Sequence, residues 1–175
     1  MKPATAIVAD GKDFPYPSAT KDVHHEMELV VALGKGGANI PESKALEHIW
    51  GYAVGLDMTR RDLQGEAKKM GRPWDTGKAF DHSAPCSAIV PASKIGHPTK
   101  GAVILEVNGQ VKQKGDLAEL IWKIPEMIAY LSTLFALMPG DLIFTGTPAG
   151  VGPVKKGDTL KGSVEVVGTI TFKGL

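Results

Sequence analysis

The stretch VHHEMELVV, Val23 to Val31, sets Glu26 and Glu28 two positions apart in a run otherwise apolar enough to be a buried strand. In an extended chain residues i and i+2 point to the same side, so the two carboxylates project together, about 7 Å apart, with His24 and Val30. Met27, Leu29 and Val31 face the other way. A solvated strand face would show the same alternation. The continuation Leu29 to Leu33, however, is apolar on both faces, as in a strand covered on both sides. Like charges held close in such a place demand a cation. Asp57 offers a third oxygen donor at the end of the apolar stretch GYAVGLDMT, where its same-face neighbours Ala53 and Gly55 are small and leave room beside the backbone. A lone aspartate there would be an ordinary cap or turn residue. Joined to Glu26 and Glu28 it makes an all-oxygen set, the kind that selects a hard ion such as Mg²⁺ or Mn²⁺. Zinc fits less well: the chain has one cysteine, Cys86, and the adjacent His24 and His25 point to opposite faces.

Three carboxylates around a dication leave one net negative charge, with water in the remaining coordination positions. A substrate with vicinal oxygens, such as a 2-oxo acid, can displace that water. Its own charge calls for cations, and Arg60, Arg61 and Lys78 follow Asp57 closely. Each alone is an ordinary surface charge; Lys78 stands out because TGKAFDHSAP surrounds it with apolar and turn residues. TGTPAGVG, near the C-terminus, reads as glycine turns between strands, and no Gly-Lys-Ser/Thr follows to make it a phosphate loop.

The elements that must position these residues are short. Thr5 to Val8 and Val23 to Leu33 read as strands, Pro41 to Trp50 as a short helix, and Arg60 to Met70 as a polar helix ended by Gly71 and Pro73. VILEVNGQVKQKG is a hairpin turning at Asn108-Gly109. Leu117, Leu120, Ile121, Ile124, Ile128, Leu131 and Phe135 form a helical core stripe, interrupted by Pro125 and stopped by Pro139-Gly140. From Asp141 onward short strands return. Strands around one main helix predict an α+β, mostly β fold.

At 175 residues the chain suits one domain with a real core. Its net charge of +1, with Lys and Arg dispersed, lacks the basic stripe that nucleic acid requires. No run reaches the roughly 18 apolar residues that span a bilayer. The N-terminus has no apolar signal core, and a lone cysteine suits a reducing compartment, so a cytoplasmic protein is expected.

Four blocks, HHEMELVVALGKGG, GYAVGLDMTRRDLQ, MGRPWDTGKAFDHSAP and PGDLIFTGTPAGVGP, together resemble the fumarylacetoacetate hydrolase family, in its fumarylpyruvate hydrolase and acylpyruvase branch. The resemblance runs from Met1 to the C-terminus. It implies a mixed β-sandwich roll, a homodimer and a Mg²⁺ or Mn²⁺ site on Glu26, Glu28 and Asp57. It places Lys78 as the active-site lysine and Arg61, Gln64 and Thr147 beside bound substrate. The implied reaction hydrolyses a carbon–carbon bond of a 2,4-dioxo acid, such as fumarylpyruvate, to pyruvate and a carboxylic acid. There the metal acts as a Lewis acid on the developing enolate. The family also carries an N-terminal His-x-x-Glu pair on a mobile lid that activates the attacking water. No His-x-x-Glu precedes Glu26, and MKPATAIV lies inside the family pattern, so hydrolysis by the chain as written is expected to be impaired. His24 and His25 are the imidazoles near enough in sequence to replace that base. Oxaloacetate decarboxylation or oxo-acid isomerisation, which need no attacking water, is the alternative on the same site. A non-catalytic metal-binding domain is the alternative of another kind.

Overall fold

The computed structural model describes all 175 residues. Its strands are β1 (Ile7–Ala9), β2 (Val23–His25), β3 (Met27–Leu33), β4 (Ile49–Leu56) and β5 (Thr59–Arg60), followed by helices α1 (Arg61–Lys69) and α2 (Asp75–Lys78). After these come β6 (Ala84–Cys86), β7 (Val90–Pro91), α3 (Ala92–Ile95), β8 (Ala102–Val107) and β9 (Gln110–Asp116). Helix α4 (Ile124–Leu134), then β10 (Leu142–Phe144), β11 (Gly152–Val154), β12 (Thr159–Val164) and β13 (Gly168–Lys173), complete the chain. The architecture is α+β and mostly β, as the sequence predicts.

The central sheet runs β1-β6-β4-β3-β10, with β7 on the edge of β4. A four-stranded sheet, β13-β12-β8-β9, packs against one of its faces, and a small sheet, β11-β2-β5, lies at its end. The main core lies between the two larger sheets. Met27, Leu29, Val31 and Leu33 of β3 and Tyr52, Val54 and Leu56 of β4 meet Leu105, Leu160 and Phe172 there. Alternation sends Val30 and Ala53 to the opposite face, where they pack with Cys86 and Phe144. Glu28 shares that second face, opposite Gly55 in the β3–β4 register.

Four sequence expectations are corrected. Thr5 and Ala6 belong to a 3₁₀ turn over Ala4–Ala6, closed by the Ile7 amide on the Ala4 carbonyl, and the strand read over Thr5 to Val8 begins only at Ile7. The run Val23 to Leu33 is two strands with a break at Glu26, because Val23 and His24 pair with β5 while Met27 onward pairs with β4. Pro41 to Trp50 forms a 3₁₀ segment over Glu42–His48 and then enters β4. The stripe from Leu117 to Phe135 is not one helix. Pro125 occupies the first turn of α4, where its missing N–H leaves no bond unmade, so it starts the helix instead of interrupting it. Leu120 and Ile121 therefore fall in a turn, and Ile121 is 94% exposed. The Asn108-Gly109 hairpin forms as expected, both residues at positive φ. No helix is long and apolar enough to cross a membrane.

Candidate metal centre

Glu26 sits in the break between β2 and β3, and its carbonyl accepts the Asp57 amide at 2.8 Å, which ties the end of β4 to that break. This bond and the register opposite Gly55 bring the side chains of Glu26, Glu28 and Asp57 together, one carboxylate oxygen of each lying within 4.8 Å of the others. Glu26 and Glu28 are only 9% and 4% exposed. The small residues beside them do not leave a void: a Cβ on Gly55 would lie 2.5 Å from Val30 and 2.8 Å from the Phe144 ring, so that space is filled.

Three cations face the acids. Lys78, the last residue of α2, donates to Glu26 at 2.6 Å, Asp57 at 2.7 Å and Thr59 at 2.8 Å. Arg61 donates to Glu26 and to Gln64, each at 2.5 Å, the i and i+3 spacing of α1 placing both side chains on one face. Lys2 is the third, and nothing in the local pattern of Met1 to Thr5 marks it. Its ammonium lies 2.9 Å from Asp57 Oδ1 and donates to Ser83 and to the Lys78 carbonyl. Burial lowers the pKa of Lys2, and Asp57 opposes that shift.

The three carboxylates are unequally balanced. Asp57 Oδ1 is buried against the Lys2 ammonium, 2.9 Å away. Glu28 has no ion pair at all; its one partner is the Gly146 amide, at 2.6 Å. Burial pushes its pKa up to about 8. A buried carboxyl without an ion pair, clustered with the oxygens of two further carboxylates, is what an oxygen-seeking dication would satisfy, so the residues present fit Mg²⁺ or Mn²⁺.

The remaining candidates fall in different places. Thr147 lies in the turn after β10, one residue past Gly146, and its hydroxyl accepts from Gln113 at 2.8 Å. It contacts none of the carboxylates directly, but with Gly146 it lines a cleft whose apolar wall includes Leu29, Leu117, Leu120 and Trp122. Arg60 points away and stacks on Phe80 at 4.3 Å. His24 bonds Asp22 at 3.0 Å and His25 bonds Gln113 at 2.8 Å, so both imidazoles are already engaged. Burial lowers the pKa of His25.

The chain is similar to proteins of known family over nearly its whole length. A family model described as fumarylacetoacetate (FAA) hydrolase C-terminal matches residues 1–173. The chain is 51% identical over 171 residues to the fumarylpyruvate hydrolase of Ralstonia sp, covering 98% of this chain and 88% of that one. It is 44% identical over 173 residues to the human mitochondrial oxaloacetate tautomerase FAHD1, covering 99% and 78%. Among solved structures, fumarylpyruvate hydrolase from Pseudomonas aeruginosa in complex with Mn²⁺ and pyruvate superposes with a TM-score of 0.96 at 51% identity, covering 99% of this chain and 76% of that one.

Proposed function

The chain belongs to the fumarylacetoacetate hydrolase family, and from that premise we propose that Glu26, Glu28 and Asp57 hold one Mg²⁺ or Mn²⁺ ion for chemistry on a 2,4-dioxo acid. The reaction is hydrolysis of a carbon–carbon bond, fumarylpyruvate or another acylpyruvate giving pyruvate and a carboxylic acid. The observation that carries this reading is the trio of clustered carboxylates, with Glu28 buried and without an ion pair. The Pseudomonas relative, solved with Mn²⁺ and pyruvate, lends further support.

When bound, the ion supplies Lewis-acid stabilisation of the negative charge that develops on the substrate's 2-oxo oxygen. The chain's own residues bind the substrate and offset its charge. Lys78 holds a positive charge beside Glu26 and Asp57 and stabilises the developing anion, a contribution of about 3 kcal/mol for one well-placed donor. Arg61, anchored on Glu26 and Gln64, offers its guanidinium to the substrate carboxylate, and Gln64 fixes the direction of that guanidinium. Thr147, beside the Gly146 amide that holds Glu28, offers a hydroxyl where the metal centre borders the apolar cleft, and the cleft receives the acyl end.

A second reading draws on the human relative: tautomerisation or decarboxylation of oxaloacetate on the same residues, which needs stabilised charge but no attacking water. One series of measurements separates these readings. Mn²⁺ should raise the melting temperature, oxalate should raise it further, and the protein should release pyruvate from fumarylpyruvate. Turnover of oxaloacetate with none of fumarylpyruvate would favour the second reading. A shift with Mn²⁺ and none with oxalate would leave only a metal-binding domain.

A further inference from the structure

Gln113 is 1% exposed, far in sequence from every residue of the metal centre, and all its hydrogen-bonding capacity is used. Its Oε1 accepts the Met27 amide at 3.1 Å and bonds His25 Nδ1 at 2.8 Å. Its Nε2 donates to the Pro148 carbonyl at 2.9 Å and bonds Thr147 Oγ1 at 2.8 Å. A backbone amide can only donate and a carbonyl can only accept, so the Met27 and Pro148 contacts fix which end of the amide is oxygen. Two consequences follow. His25 carries its proton on Nδ1. Thr147 must accept from Gln113, which leaves its own O–H proton free to donate, and no protein acceptor takes it.

We infer that Gln113 is a positioning residue that presents Thr147 as a hydrogen-bond donor to a substrate oxygen at the metal centre. The same side chain bridges the segment that carries Glu26 and Glu28, through Met27, and the loop whose Gly146 amide holds Glu28. Gln113 thus sets the distance between the carboxylates and the donor loop. Gly150, farther along that loop, closes the arrangement: its φ is +96°, and a Cβ there would meet the Lys112 carbonyl at 2.2 Å, so the loop lies directly on β9. This inference rests on the metal-centred reading above.

The test titrates oxalate into Mn²⁺-loaded protein, with Mn²⁺ affinity measured separately as the control for an intact centre. Thr147→Val should weaken oxalate by about ten- to a hundredfold, the loss of one hydrogen bond to a charged group, and leave Mn²⁺ affinity unchanged. Gln113→Glu puts an acceptor where Nε2 was and draws the Thr147 proton inward, so it should weaken oxalate to a similar degree. The double variant should be no worse than the poorer single one. Gln113→Met, uncharged and of similar volume, is the second arm should a buried carboxylate disturb folding, and it too should weaken oxalate. Unchanged oxalate affinity in Thr147→Val or in a Gln113 variant that still binds Mn²⁺ overturns the inference, as do penalties that multiply. Loss of Mn²⁺ binding in both Gln113 variants also overturns it, by making Gln113 a folding residue only. Wild-type protein that binds Mn²⁺ but not oxalate refutes the metal-centred reading itself.

Discussion

The proposed chemistry gives Lys78 two roles that one substitution can separate. Its ammonium sits 2.6 Å from Glu26 and 2.7 Å from Asp57, so on that reading it competes with a dication for those carboxylates while supplying positive charge for turnover. Lys78→Met should therefore tighten Mn²⁺ binding and lower kcat by about a hundredfold or more; calorimetric titration and steady-state kinetics on one preparation check both signs. Glu28 makes a separate prediction. Burial raises its pKa from an ordinary 4.5 to about 8, so across that window the folded chain keeps a proton that the unfolded chain has released. The folded state then binds more protons than the unfolded one, and stability of the metal-free protein falls as pH rises from about 4.5 to about 8. Each tenfold in proton affinity is about 1.4 kcal/mol, which makes the loss several kcal/mol. Melting temperatures across that range should show the decline in wild-type protein, saturating Mn²⁺ should remove it, and Glu28→Gln should flatten it. A metal-free protein equally stable across the window would contradict the reading.

Among the elements, the loop after β10 and helix α1 respond oppositely to the same change. Gly150→Ala forces a side chain into a left-handed conformation and onto the Lys112 carbonyl, so it should destabilise by about 1–3 kcal/mol. Gly65→Ala lies within α1 with open space around its Cβ and should stabilise by about 0.5–1 kcal/mol. Denaturant midpoints that move in the same direction would count against this account of the two segments. What the sequence revealed followed the range of the forces involved. The apolar strand that carries Glu28, the end of β4 beside Asp57, the Asn-Gly hairpin and helix α1 follow from neighbours within a few positions. The break at Glu26 was hidden because it arises where one strand changes partners, from β5 to β4. The apolar stripe misled because spacing alone cannot tell a helix from a turn that precedes a proline-started helix. Lys2 and Gln113 reach the centre across 55 and 86 or more positions, through contacts that no local pattern encodes.

At the scale of the whole molecule, α4 and the segment after it expose Tyr130, Leu134, Phe135 and Met138, near an exposed Trp122 that packs on Tyr130 at 5.5 Å. We propose that these side chains seat a second copy of the chain. The family resemblance implies a homodimer, and light scattering after size exclusion should give about twice the 18.5 kDa chain mass; the mass of a single chain at micromolar concentration would refute it. The second face of the central sheet and the α1–α2 segment converge at one point, where three acids and three cations are held by backbone drawn from five separate stretches of chain. The most direct test of that convergence is anomalous diffraction from crystals grown with Mn²⁺. The expected result is a single strong peak about 2.1 Å from oxygens of Glu26, Glu28 and Asp57. A peak elsewhere, or none, with Lys78 still lying between Glu26 and Asp57, would contradict it.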